Sequence, residues 1–188
     1  TGAGHIALAN LGNVSTSGTI ANSGGDVVLN VTGSLTNAAA LSASGAVGLF
    51  GTGLTNTGSV TASGAITLDA DTALLTNAGT VSASGAQVNL YGGVMNITGP
   101  VNNPTGAVVL NNTSGGLVTM GAGGSGFGLS NAELNNINAA SLIFNASPIT
   151  VDCAVNLNTV GAFTINATSM AIDNDFITLG TLDINCSG

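Results

Sequence analysis

The chain has 188 residues with no Lys, no Arg, one His and eight acidic residues, a formal charge of −8. Without cations it is not expected to bind nucleic acid or to clamp phosphates. A membrane-spanning helix is not expected either, because no window of about 20 residues runs free of Ser, Thr or Asn, and five Phe with one Tyr do not supply the aromatic girdles of an outer-membrane barrel.

What is left is a chain of Gly, small residues, amides and hydroxyls punctuated by Val, Ile and Leu, a composition of short strands and tight turns. The first readable unit contains Leu11, Asn13, Gly18-Thr-Ile20 and Gly24-Gly-Asp-Val-Val-Leu29. Three better copies follow as Leu35-Thr-Asn-Ala-Ala-Ala-Leu-Ser-Ala-Ser-Gly-Ala-Val-Gly-Leu49, then Leu54 to Leu68, then Leu75 to Leu90. A fourth begins at Val94, so that Leu35, Leu54, Leu75 and Val94 stand 19, 21 and 19 residues apart. Each copy carries short apolar alternations, such as Val60-x-Ala62 and Ile66-x-Leu68, which are strand signals. Beyond Leu110 the repeat loosens through a Gly-rich run, Gly115 to Gly128, whose Gly-Gly-Ser-Gly lacks the Asp of a calcium-binding nonapeptide. It resumes as Leu142-Ile-Phe-Asn-Ala146, Phe163-Thr-Ile-Asn-Ala167 and Leu182-Asp-Ile-Asn-Cys186.

Units this short cannot bury their apolar faces alone and must stack, each strand pairing in parallel with its equivalent one coil along. The spacing predicts an all-β chain, a right-handed parallel β-helix of about nine to ten coils at ~20 residues per coil. It forms a single domain over 1–188, with regular repeats over 1–110, distorted Gly/Asn-rich coils over 111–140 and regular coils over 141–188. Leu35, Leu54, Leu75 and Val94 are expected to stack in the core, with Leu41, Val60, Val81 and Val101 in a second column. Asn37, Asn56, Asn77 and Asn96 are expected to form an amide ladder at a bend, and Asn145, Asn166 and Asn185 another. Gly45, Gly64 and Gly85 mark a corner.

The pattern Leu-x-Asn-x-Gly-x-Val-x-Ala-x-Gly-x-Val-x-Leu of the copies between Leu11 and Leu110 resembles the filamentous haemagglutinin repeat of bacterial two-partner-secretion exoproteins. Gly126-Phe-Gly-Leu-Ser-Asn-Ala-Glu-Leu134, with Ile137 and Ala139-Ala-Ser-Leu142, is similar to segments of large haemagglutinin-like proteins. The resemblance implies a secreted β-helix acting as an adhesin, a surface fibre or a toxin-delivery stalk. It also implies glycans on some Asn-x-Ser/Thr sites, of which Asn13, Asn30, Asn96, Asn112, Asn145, Asn166 and Asn185 head one each.

Side chains able to do chemistry are few. Asp69 and Asp71 stand two apart, as do Asp173 and Asp175, so each pair projects from one face of an extended chain. The reading adopted is solvated turn residues; a divalent-ion site (Ca2+) and a glycosidase pair are the alternatives. No other cofactor is expected. His5, the one imidazole, has neither a Cys nor an acid beside it in sequence and reads as an exposed terminal residue. Cys153 and Cys186 are disulfide candidates, with buried free thiols, a bridge from a folded-back C-terminus and a bond to a neighbouring subunit all open.

No signal peptide precedes Thr1 and no Met stands there, so the chain reads as a processed product or an excised segment. The function expected is a non-enzymatic, extracellular or cell-surface structural protein whose copies stack head to tail, because a solenoid with no capping helix leaves strand edges open at both ends. The alternative is a stalk in a haemagglutinin-like adhesin, and a remote one is a glycan-active enzyme. The partners expected are copies of itself, with glycans or proteins of a host or neighbouring cell as further candidates, and neither nucleic acid nor membrane insertion is expected.

Overall fold

The computed structural model describes residues 4–121, 127–178 and 180–187. Within them the chain winds as a parallel β-solenoid of about eight turns at about 21 residues per turn, interrupted by one short helix, Asn131–Asn135.

Alternation builds the core. In the strand Ile66–Asp69, Ile66 and Leu68 are fully buried, while Thr67 and Asp69 are partly exposed on the other face. Val47–Phe50 and Val88–Gly92 flank this strand in parallel, aligning Leu49, Leu68 and Leu90. The same column runs on from Leu8 and Leu29 at one end to Leu110, Phe144, Ile165 and Ile184 at the other. Each side chain fully enclosed in this way contributes about 1.5–3 kcal/mol. Leu35, Leu54 and Leu75 form a second column, and Leu41, Val60, Val81 and Val101 a third, as their spacing predicts.

Val94 and Asn96 depart from expectation by one residue. Val94 pairs with Leu74, Met95 with Leu75, Asn96 with Thr76 and Ile97 with Asn77. A slip of one residue exchanges the two faces of a strand. This register buries Met95 and Ile97 and leaves Asn96 exposed, whereas the expected one would have turned two large apolar side chains outward to admit one amide.

At the corners, backbones approach too closely for side chains. A Cβ added to Gly64 would lie 2.8 Å from the backbone of Gly45 in the coil below, closer than carbon atoms pack. Gly85 instead has φ of +99°, a conformation that glycine adopts most cheaply.

The corner disappears in the second half. Val101–Asn112 is one continuous strand that pairs with Thr80–Ala83 at its start and with Val88–Gly92 at its end. Ile137–Asn145 and Val160–Ala167 stack upon it in turn. One coil is much longer than the rest, with 34 residues between the stacked pair Asn111 and Asn145; this is why the chain makes about eight turns rather than nine to ten. The extra length lies in the segment expected to be distorted. It supplies Val118–Gly121, which pairs with Ile149–Val151 on one side and Phe127–Ser130 on the other. Phe127–Ser130 lies in turn beside Val94–Ile97. That side of the solenoid therefore gains a strand that the first sheet lacks. Of the Gly-rich run and the segment beginning at Gly126, residues 122–126 lie outside the described residues.

The helix Asn131–Asn135 replaces a strand in this coil, and its side chains stand in for the missing peptide groups. Asn131 accepts the Asn156 N–H at Oδ1 (2.8 Å) and donates to the Ala154 carbonyl (2.7 Å). One turn on, Asn135 donates to the Asn156 carbonyl (3.0 Å) and accepts the Asn158 N–H (3.2 Å). Residues four apart share a helix face, so the two amides line up along the edge of Val155–Leu157 as a paired strand would. Toward the other neighbour, Glu133 accepts the Ile97 N–H (3.2 Å), and Asn136 donates to the Ile97 carbonyl (2.8 Å). Ser130 and Glu133 start the helix as a capping box.

Candidate functional site

The first amide ladder is continuous and buried. Thr16 Oγ1 donates to Asn37 Oδ1 (2.6 Å), Asn37 Nδ2 to Asn56 Oδ1 (2.8 Å), and Asn56 Nδ2 to Asn77 Oδ1 (2.7 Å). Asn77 Nδ2 ends the run on the Gly99 carbonyl (3.1 Å), the place that the Asn96 side chain was expected to fill. Asn37, Asn56 and Asn77 are fully buried. The second ladder joins Asn185, Asn166 and Asn145 as expected, and extends to Asn111 (3.0, 2.8 and 2.7 Å). These amides are structural: in the first ladder each donates to the coil that follows, in the second each donates to the coil before, and the run stops at Asn111, whose buried Nδ2 has no partner.

Asp69 ends a strand and Asp71 stands in the turn after it, while Asp173 and Asp175 fall between strands. Asp69 Oδ1 accepts the Asp71 N–H (2.8 Å), and Asp71 has φ of +54°. Asp173 and Asp175 are exposed, with their backbones engaged by Val151 and Val155. Among the described residues no three His, Cys, Asp or Glu side chains gather as a metal site. His5 is exposed, and the fold brings to it an acid distant in sequence: its Nδ1 lies 3.1 Å from Asp26 Oδ2, one coil along. Cys153 and Cys186 are both exposed and free, so they are neither buried nor bridged to each other. Cys186 pairs with Ala167 and lines an open groove of about 600 Å3 with Ala146, Ser147, Thr168 and Ile184.

The sequons separate by what their amides already do. Asn145, Asn166 and Asn185 belong to the ladder. Asn13 receives the Ser34 N–H, and Asn112 bonds Ser114 and Gly116. Asn30 and Asn96 are exposed.

One cluster escaped sequence reasoning. On the outer face of the first sheet, Phe50, Asp69 and Tyr91 are adjacent in register, with Gly48, Thr67 and Asn89 forming the next outward column. The Phe50 ring folds along its own strand over Gly48, where an added Cβ would lie 3.1 Å from ring Cζ, and Gly48 is buried beneath it. Its signal in the sequence was faint, since the three residues fall at the same position of three repeats but differ in type.

Compared with models of known protein families, with characterised proteins and with solved structures, the chain matches none.

Proposed function

We propose that the chain is a non-enzymatic structural element of an extracellular or cell-surface fibre, a β-solenoid that lengthens by stacking copies head to tail. The observation that carries this reading is that the two outermost strands of the first sheet end the same core columns. At one edge the outermost strand of the first sheet is Ile6–Leu11, at the other Thr181–Cys186. Ile6 and Leu182 end one core column, and Leu8 and Ile184 end the next. Leu8 is 42 % exposed and Ile184 39 % exposed, while the residues between them in that column are fully buried. A second copy set Leu182 to Ile6 and Ile184 to Leu8 continues both columns without a change of register. Such a contact is heterologous and propagates as a filament.

Chemistry supports the non-enzymatic part. The one imidazole is at an exposed edge beside Asp26, and one member of the Asp69/Asp71 pair has an oxygen tied into its own turn. At −8 per subunit, bundling of neighbouring filaments calls for divalent cations between carboxylates.

The test is electron microscopy of the purified chain, with and without a chelator, together with an Ile6→Cys, Leu182→Cys variant in which Cys153 and Cys186 are Ser. Filaments and an intermolecular disulfide are expected, with bundles dispersed by chelation. A monomer in light scattering that forms no such disulfide would overturn assembly and favour a stalk.

A further inference from the structure

We infer that His5 and Asp26 form a pH-sensitive latch that holds the first coil against the second, so that mild acid readies the edge onto which a copy would stack. The latch is a property of one chain; its effect on assembly rests on the stacking reading. The first coil needs such a hold. Its strand Ile6–Leu11 has a single neighbour, Val27–Val31, and the register is regular from Ile6 to Ala9 before it shifts. Asp26, just ahead of that neighbour, works in three directions. Its carbonyl accepts the Ile6 N–H (3.0 Å), its Oδ1 accepts the Ala46 N–H of the coil beyond (2.7 Å), and its Oδ2 lies 3.1 Å from His5 Nδ1. The Ala46 bond fixes the carboxylate, so the imidazole meets an acceptor already in place.

Charge makes the pair switchable. Histidine is the side chain whose charge ordinarily changes between about pH 5 and 8, and His5 is the one imidazole in a chain without Lys or Arg. Carboxylates ordinarily titrate near 4, below that window. The strands Ile6–Leu11, Val27–Val31 and Val47–Phe50 carry no charged residue, so Asp26 is the carboxylate that faces His5 within the chain. Their side chains are 65 % and 36 % exposed, and solvent protons reach both. Protonated, His5 gives Asp26 a charge-assisted bond, about twice as strong as a neutral one. Deprotonated, it leaves an uncompensated negative charge at the end of an acidic molecule. The hold is therefore full in mild acid and weakens as pH rises through the titration of the imidazole.

Stacking adds a second carboxylate. With the copy's Leu182 set to Ile6, its Asp183 falls beside Ala7, on the outward face that carries His5. His5 then stands on the rung between the copy's Asp183 and its own Asp26. Rungs are about 4.8 Å apart, within the screening length of about 8 Å at physiological salt. A protonated imidazole there offsets the repulsion between two subunits of charge −8 where they meet.

The experiment measures amide hydrogen exchange of the full chain at about pH 5.5 and about pH 7.5, with rates corrected for the pH dependence of free amides. The Ile6 and Leu8 amides are expected to be about two- to fivefold better protected at the lower pH, the size of an exposed ion pair, while the Leu68 amide inside the sheet does not change. His5→Gln keeps a donor and loses the charge, and should remove the difference. Asp26→Asn should remove it too, yet leave Ala46 protected, because the amide oxygen still accepts the Ala46 N–H. Equal protection at both pH values, a difference that survives in H5Q or D26N, or a change shared by Leu68 would each overturn the latch. Electron microscopy of the same samples reads the effect on assembly, with more filaments expected at the lower pH for the parent chain and no such difference for H5Q. The exchange pattern above without filaments at either pH would support the latch and overturn stacking. Filaments whose yield follows pH equally in H5Q would overturn the latch's part in assembly.

Discussion

A buried asparagine is costly unless both halves of its amide are engaged, and the first ladder meets that condition by sharing one hydrogen bond between successive coils. Asn56 is its centre, accepting from Asn37 and donating to Asn77. Replacing it with Ala orphans a buried donor and a buried acceptor at once. At about 1–3 kcal/mol for each, Asn56→Ala is expected to lose roughly 2–6 kcal/mol in urea unfolding, while Thr55→Ala on the partly exposed face of the same strand should change stability by less than about 0.5 kcal/mol. Equal effects would show that the ladder is incidental. The spacing of Asn37, Asn56 and Asn77 made this ladder legible, because nothing else explains an amide at one position of three repeats. Asn96 was misread because spacing counts residues and does not weigh faces. Met95 and Ile97 compete for the interior, and two apolar side chains outweigh one amide.

The helix Asn131–Asn135 shows an element closing the edge of a different kind of element. Strand edges are normally closed by another strand, and here two side-chain amides on one helix face provide the same donors and acceptors. The Asn131→Ala, Asn135→Ala double variant is expected to release the N–H groups of Asn156 and Asn158. Their hydrogen exchange should quicken about fivefold, at about 1 kcal/mol for each bond lost, while the Asn56 amide keeps its protection. Uniform acceleration would instead mean that the helix supports the whole stack. Ser130-x-x-Glu133 is a legible helix start, and the sequence analysis singled out this very segment, but by resemblance rather than as a helix. Its role was illegible for a physical reason: Asn131 and Asn135 find these partners 21 to 25 residues away, beyond any local pattern. The strand columns were legible because a solenoid turns long-range contacts into a fixed sequence offset; the offset fails at the 34-residue coil, and the count of turns failed with it.

As a whole molecule, the solenoid owes its cohesion to apolar columns and amide ladders, and the ion pair found among the described residues is His5 with Asp26. Its charges otherwise repel. Raising NaCl from about 0.05 to about 0.5 M shortens the screening length and should leave the urea midpoint unchanged or slightly higher; a clear fall would reveal stabilising electrostatics that the fold does not display. The added strand of the long coil has its own consequence at this scale. Between Val94–Ile97 and Ile149–Val151 lie two strands, whereas between Val88–Gly92 and Ile137–Asn145 in the first sheet lies one. One flank thus holds one strand more, a rung of about 4.8 Å, which would tilt the axis away from it like a course of masonry set on a wedge. In a fibre of identical subunits that tilt recurs once per copy, so the polymer's path would curve or coil into a superhelix whose radius is written into a single irregular turn.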